Sequence, residues 1–170
     1  CFYDAQIEPA VLGLRVEDLL RSISANNSIR NVQLEGATIP LPSVSLFLRT
    51  KQVMTSFSLN ECKFEGFGTE SEAELTAAFG LSNPLESVEL YWLEERDLLV
   101  MFRCLCASKI QQLHISMKSM HVATFDALRQ LLEATTIFRR FEIDRDNLLS
   151  MAHGLQCNSS TKSLLFKYCI

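Results

Sequence analysis

Met54-Thr55-Ser56-Phe57-Ser58-Leu59-Asn60-Glu61-Cys62-Lys63-Phe64 is the stretch on which the fold of this chain is read. Around Phe57-Ser58-Leu59 apolar and polar residues alternate, the period of a strand with one buried face. Ile29-Arg30-Asn31-Val32-Gln33-Leu34-Glu35-Gly36-Ala37-Thr38-Ile39 repeats the spacing without a gap. Four further copies of its first half follow: Leu85-Val88-Leu90, Ile110-Leu113-Ile115, Phe138-Phe141-Ile143 and Thr161-Leu164-Phe166. Their central residues, Val32, Phe57, Val88, Leu113, Phe141 and Leu164, are 25, 31, 25, 28 and 23 residues apart. A period of about 20 to 30 residues leaves room in each unit for one strand and one helix.

The stretches between copies carry the helical period. Leu19, Leu20 and Ile23 fall on one helix face. So do Val44, Phe47 and Leu48; Leu75, Ala78 and Phe79; Leu98, Phe102 and Leu105; Phe125, Leu128 and Leu132; and Leu148, Ala152 and Leu155. Each stripe is an apolar face to lay on the strands. Turn residues separate helix from strand at Asn26-Asn27-Ser28, Ser82-Asn83-Pro84, Thr135-Thr136 and Asn158-Ser159-Ser160. Gly66, Gly68 and Pro40-Leu41-Pro42 are expected to break the chain before helices restart, and Asp18 to cap the first helix, with Glu8-Pro9 marking an earlier possible start.

Residues 54–64 and 29–39 match L-x-x-L-x-L-x-x-N/C-x-L, with Cys62 and Ala37 in the small-residue slot. On this pattern the chain resembles a leucine-rich repeat protein of the ribonuclease-inhibitor type. The slot is degraded to Leu93, Lys118 and Asp146 in later copies and recovered at Cys169. The resemblance implies an α/β fold: a right-handed β-α solenoid, a horseshoe segment with parallel strands on the concave face and helices on the convex face. It implies one domain, 1–170, of about six repeats. Both ends read as cut, Cys1 standing without an initiator Met, so a segment of a longer array is expected. A doubly wound nucleotide-binding sheet fits less well. Its strands are buried on both faces, whereas Val88-Glu89-Leu90, Leu113-His114-Ile115 and Phe141-Glu142-Ile143 alternate, and neither G-x-G-x-x-G nor G-x-x-x-x-G-K-[ST] occurs.

Composition narrows function. The net charge of −4, without clustered Lys or Arg beyond Arg139-Arg140, argues against nucleic acid. No apolar run approaches the ~20 residues of a membrane span. Of the six cysteines, none forms a C-x-x-C, so neither a zinc site nor any other cofactor is expected. Cys104 and Cys106, two apart on a helix, point to different sides. Structural thiols in a reducing compartment, cytoplasmic or nuclear, are the expectation, set against two N-x-[ST] triplets at Asn26 and Asn158.

If the strands stack in register, their uncovered side chains form three ladders. The first is Asn31, Ser56, Ser87, Gln112, Arg140 and Ser163; the second Gln33, Ser58, Glu89, His114, Glu142 and Leu165; the third Glu35, Asn60, Tyr91, Ser116, Asp144 and Lys167. His114 then lies between Glu89 and Glu142, with Ser116 two residues along. That set invites a Glu-His-Ser catalytic or small metal-site reading. An open strand face, however, supplies neither an oxyanion hole nor a water-excluding pocket. A surface histidine, or a pH-sensitive contact to a partner, is the plainer reading. The expected function is a non-catalytic module binding a protein partner on the strand face through Glu89, Tyr91, Trp92, His114, Ser116, Arg140, Glu142 and Asp144. Tyr91 is read as the lone exposed aromatic of the face, with Trp92 just beyond. The alternatives are a regulatory subunit acting on a small GTPase and a ligand-sensing segment of a larger receptor.

Overall fold

A computed structural model describes residues 3–7, 15–81, 85–116, 121–134, 140–143 and 163–166, with the backbone alone at 3–7, 140–143 and 163–166. Seven strands form a parallel sheet: β1 (Tyr3–Ile7), β2 (Ile29–Glu35), β4 (Ser56–Asn60), β6 (Ser87–Tyr91), β7 (Gln112–Ser116), β8 (Arg140–Ile143) and β9 (Ser163–Phe166). They neighbour one another in that same order along the chain. Helices α1 (Val16–Ser24), α2 (Leu41–Thr50), α3 (Thr69–Leu81), α4 (Glu95–Leu105) and α5 (Val122–Ala134) alternate with them, each packing on the next. A second, two-stranded parallel sheet pairs β3 (Thr38–Pro40) with β5 (Lys63–Glu65).

The alternating residues explain the sheet. Val32 and Leu34, Phe57 and Leu59, Val88 and Leu90, and Leu113 and Ile115 are all 0–1% exposed, and they join the helical stripes in one core. Each such burial contributes about 1.5–3 kcal/mol. From the helices come Leu20 and Ile23; Val44, Phe47 and Leu48; Leu75, Ala78 and Phe79; Leu98, Phe102 and Leu105; and Leu128 and Leu132. Leu19 and Phe125 pack at its margin. The stripe at Leu148, Ala152 and Leu155 lies outside the described residues.

Ahead of β4, β6 and β7 a backbone hook recurs. Thr55 donates to the Arg30 carbonyl at 2.8 Å; Glu86 and Ser87 donate to Thr55; Gln111 and Gln112 donate to Glu86. After β2, β4 and β6 a left-handed residue recurs, at Gly36 (φ 61°), Glu61 (φ 51°) and Trp92 (φ 56°). Each donates its N–H to the carbonyl of the next strand's last residue, at 2.9 Å to Asn60, 2.9 Å to Tyr91 and 2.8 Å to Ser116. Only the first is glycine; at the other two the side chain costs about 1–2 kcal/mol of backbone strain. Among turns, Asn26 Oδ1 accepts the Ser28 N–H at 2.8 Å, as its residue type anticipates.

Two sequence expectations need correction. Asp18 does not cap α1: Arg15 is the N-cap residue, and Asp18 sits inside the first turn, 3.3 Å from Arg21. Its carboxylate favours the helix through the dipole and the pair instead. Pro40-Leu41-Pro42 does not precede α2; Leu41 and Pro42 are its first residues, because proline is tolerated where N–H groups have no helical partner. Cys104, within α4, is buried and Cys106, the residue that caps the helix, is half-buried, so the two thiols meet different surroundings.

The last two positions of the quoted pattern build the second sheet. Ala37 and Cys62 are buried, Cys62 Sγ lying 3.3 Å from the Leu34 carbonyl, and Ile39 and Phe64 enter the core as β3 and β5 pair. At Leu93, also buried, the larger side chain takes the slot and the chain passes directly into α4. Lys118, Asp146 and Cys169 lie outside the described residues. Lys51 is a polar contribution the pattern does not announce. Its side chain is buried, and Nζ donates to the carbonyls of Ile23, at 2.9 Å, and Asn26, at the C-terminal end of α1. Burial lowers its ammonium pKa.

Replacing Leu113, fully buried, by Ala is expected to destabilise the fold by about 2–5 kcal/mol, measured by urea unfolding. Thiol reactivity gives a second check. Burial pushes Cys62 and Cys104 up to about 11, leaving about a thousandth of each as thiolate near pH 8. Both are expected to resist Ellman's reagent in the native protein and to react on unfolding; rapid native labelling at either position would contradict the packing.

Candidate partner-binding surface

The face of the sheet opposite the core presents the three ladders in register. Asn31, Ser56, Ser87, Gln112, Arg140 and Ser163 are consecutive backbone partners, and so are Gln33, Ser58, Glu89, His114, Glu142 and Leu165. The third runs Glu35, Asn60, Tyr91, Ser116. Adjacent rungs stand about 4.8 Å apart, so side chains on neighbouring strands are in reach of one another. Asn60 Nδ2 donates to Glu35 Oε1 at 3.0 Å, tying the first two rungs of the third ladder. Thr55 Oγ1 and Asn31 Oδ1, 3.3 Å apart, do the same at the start of the strands.

The surface is less even than its sequence suggests. Ser58 and Ser116 are 5% and 3% exposed, their short side chains forming the floor. Ser116 is thus buried rather than presented at the surface. Tyr91 is half-buried rather than the exposed aromatic expected, while Glu89 and His114 are half-buried at mid-sheet. The register brings Glu89, His114 and Glu142 side by side, as the sequence anticipates. Arg140 and Glu142 are placed by backbone alone, and Asp144 lies outside the described residues.

Trp92 stands apart from the ladders. It follows β6 in the left-handed turn, 38% exposed, and faces a recess of about 410 Å³ shared with Glu61, Cys62, Lys63, Leu93, Glu94 and Glu95. Lys63 and Glu94 pair across it at 2.7 Å; their shared hydrogen bond raises the lysine pKa and lowers that of the glutamate. Glu95 anchors the far side. Its Oε1 accepts the His121 backbone N–H at 2.7 Å and the Thr124 hydroxyl at 2.8 Å, and its Oε2 lies against His121 Nδ1. His121 in turn accepts from the Thr124 and Phe125 N–H groups at the start of α5, so the carboxylate joins α4 to α5. Partial burial works against the Glu95 charge, but these hydrogen bonds prevail and its pKa is lowered.

Two charged residues here escape sequence reasoning. Asp97, in the first turn of α4, is wholly buried, with Arg96 Nε 3.7 Å from its carboxylate. Neither carboxylate oxygen has a hydrogen-bond partner among the described residues, and burial raises the pKa against the opposing Phe64 backbone and Arg96 charge. Arg96 itself lies over the Phe67 ring, 3.9 Å from its centroid, and donates to the Phe64 carbonyl at 3.3 Å. Glu94-Glu95-Arg96-Asp97 are four consecutive charged residues, of which the fold buries only Asp97. Among the described residues, no group of three His, Cys, Asp or Glu could hold a metal ion, and no helix is long and apolar enough to cross a membrane.

No protein-family model matches this chain, and no curated protein matches it.

Because Glu95 titrates lower folded than unfolded, its contribution to stability is present above the ordinary carboxylate pKa of 4.5 and is lost as pH falls through the depressed folded value. Glu95→Gln is therefore expected to lower urea-unfolding stability near pH 7 and to approach the unsubstituted protein near pH 3. An equal deficit at both pH values would refute the charge-based account.

Proposed function

We propose that the chain is a leucine-rich repeat segment of the ribonuclease-inhibitor type, a right-handed, curved β-α solenoid. Its function is to bind a protein partner, without catalysis, on the concave strand face. What carries the reading is the in-register set of polar side chains across β2, β4, β6 and β7, on the face opposite the core. Stacked parallel strands hold such side chains on a rigid platform, so little conformational entropy is lost on docking. The buried, free thiols Cys62 and Cys104 support assignment to a reducing compartment, cytoplasmic or nuclear.

The contacts we assign are Tyr91, Glu89 and His114 at the centre, with Arg140, Glu142 and Asp144 continuing along the array and Trp92 at the edge. A half-buried tyrosine among small polar neighbours suits an energetic anchor, since it offers a rigid ring at small entropic cost. The test is affinity capture from a native extract, followed by binding measurements on the retained protein. Tyr91→Ala is expected to weaken that affinity by about 1–3 kcal/mol while leaving the unfolding midpoint in place. Unchanged affinity would remove the strand face as the docking surface.

A further inference from the structure

We propose that Asp97 is a proton-operated latch between β5 and the first turn of α4, closed when its carboxyl is neutral and loosened when it ionises. The proposal is independent of any partner on the strand face. Asp97 is 0% exposed, yet neither carboxylate oxygen has a hydrogen-bond partner among the described residues. An acidic side chain in the first turn of a helix can reach back to the open N–H groups there. This one lies against the Phe64 backbone of β5, so α4 and the second sheet meet at a bare carboxyl.

The surrounding cations do not neutralise it. Arg96 and Glu94 act on it from α4, Lys63 from β5, and the Cys62 thiol from the turn before β5. Arg96 Nε stands 3.7 Å away, beyond hydrogen-bond reach, while the same guanidinium covers the Phe67 ring and donates to the Phe64 carbonyl. The Arg96 side chain is 62% exposed, so water screens the attraction that remains. Lys63 is held by Glu94 at 2.7 Å, and their opposite charges offset one another at Asp97. The helix dipole favours an anion in the first turn. Burial opposes it more strongly, and the pKa is raised. A neutral carboxyl relieves the desolvation cost with the packing intact. An ionised one calls for water, which reaches it when the first turn of α4 parts from β5. With its folded pKa above the ordinary 3.8, Asp97 leaves stability intact below that value and lowers it as pH rises through the folded one. Glu95, two residues earlier, has the opposite sign.

Hydrogen exchange of the full chain, followed by NMR, reads the latch. Protection factors, corrected for the intrinsic pH dependence of exchange, are compared between the junction amides (Phe64 and the first turn of α4) and Val88 and Leu90 of β6. Asp97→Asn keeps the shape of the neutral acid and cannot ionise. At about pH 7.5 it is expected to raise junction protection, relative to β6, by about 5-fold or more, the scale of one unpaired buried polar group. Near pH 3.5 the two proteins are expected to coincide, because Asp97 is then neutral and the Glu95 contribution is common to both. Urea midpoints are expected to follow the same order, higher for the variant at the upper pH and equal at the lower. A variant less protected than the unsubstituted chain at pH 7.5, or a difference that does not change with pH, would overturn the proposal. The Asp97 carboxyl ¹³C resonance gives a check that needs no variant. Its titration is expected to have a midpoint above 3.8 and to coincide with the loss of junction protection; a midpoint at or below 3.8, or junction protection that does not titrate with it, would equally refute the latch.

Discussion

Each of β2, β4, β6 and β7 buries two apolar side chains separated by one polar residue, and the remaining geometry depends on keeping that pair inward. A slip of a single residue would turn both outward, at a cost of about 3 to 6 kcal/mol per strand from lost burial alone. Parallel pairing with Val32, Phe57, Val88 and Leu113 abreast is therefore tightly specified. The polar ladders follow as a consequence, because residues that alternate with a buried pair are forced onto the opposite face. Gln33, Ser58, Glu89 and His114 acquire their common alignment from the core beneath them.

Loop geometry is governed by a different constraint, the disposal of backbone hydrogen bonds where strands and helices end. The hooks at Thr55, Glu86 and Gln111 and the left-handed donors at Gly36, Glu61 and Trp92 connect β2, β4, β6 and β7 in turn through main-chain groups. Side chains complete the task at helix ends: Lys51 takes carbonyls of α1, and Glu95 takes a donor ahead of α5. Such contacts give partners to main-chain groups that strand and helix ends would otherwise leave open, as burial of backbone requires. They also hold the Trp92 side chain at the mouth of a charged recess.

Period and spacing made the elements legible. Alternation at Phe57-Ser58-Leu59, and its recurrence, gave the positions of the strands, while stripes such as Val44, Phe47 and Leu48 marked buried helix faces. Legibility failed where the competing choices are close in energy or lie far apart in sequence. Asp18 has the chemistry of a cap, but a residue three places inside a helix can be equally satisfied by Arg21. Pro42 breaks a helix interior yet suits its first turn. Exposure at Tyr91 and Ser116 depended on the sizes of neighbours brought together by pairing, and the burial of Asp97 on a contact with β5.

By itself, the sequence determined an α/β chain of alternating strands and helices, which strand residues turn inward, and the ladders their neighbours form. Side-chain alternation is a local property of backbone geometry, so it is written in adjacent residues. Only the tertiary structure decided that Ser58 and Ser116 form a floor, that β3 and β5 pair, and that Glu61 and Trp92 share a recess. Those relations join residues some 25 to 31 positions apart, and their depth and charge arise from packing that no single segment contains.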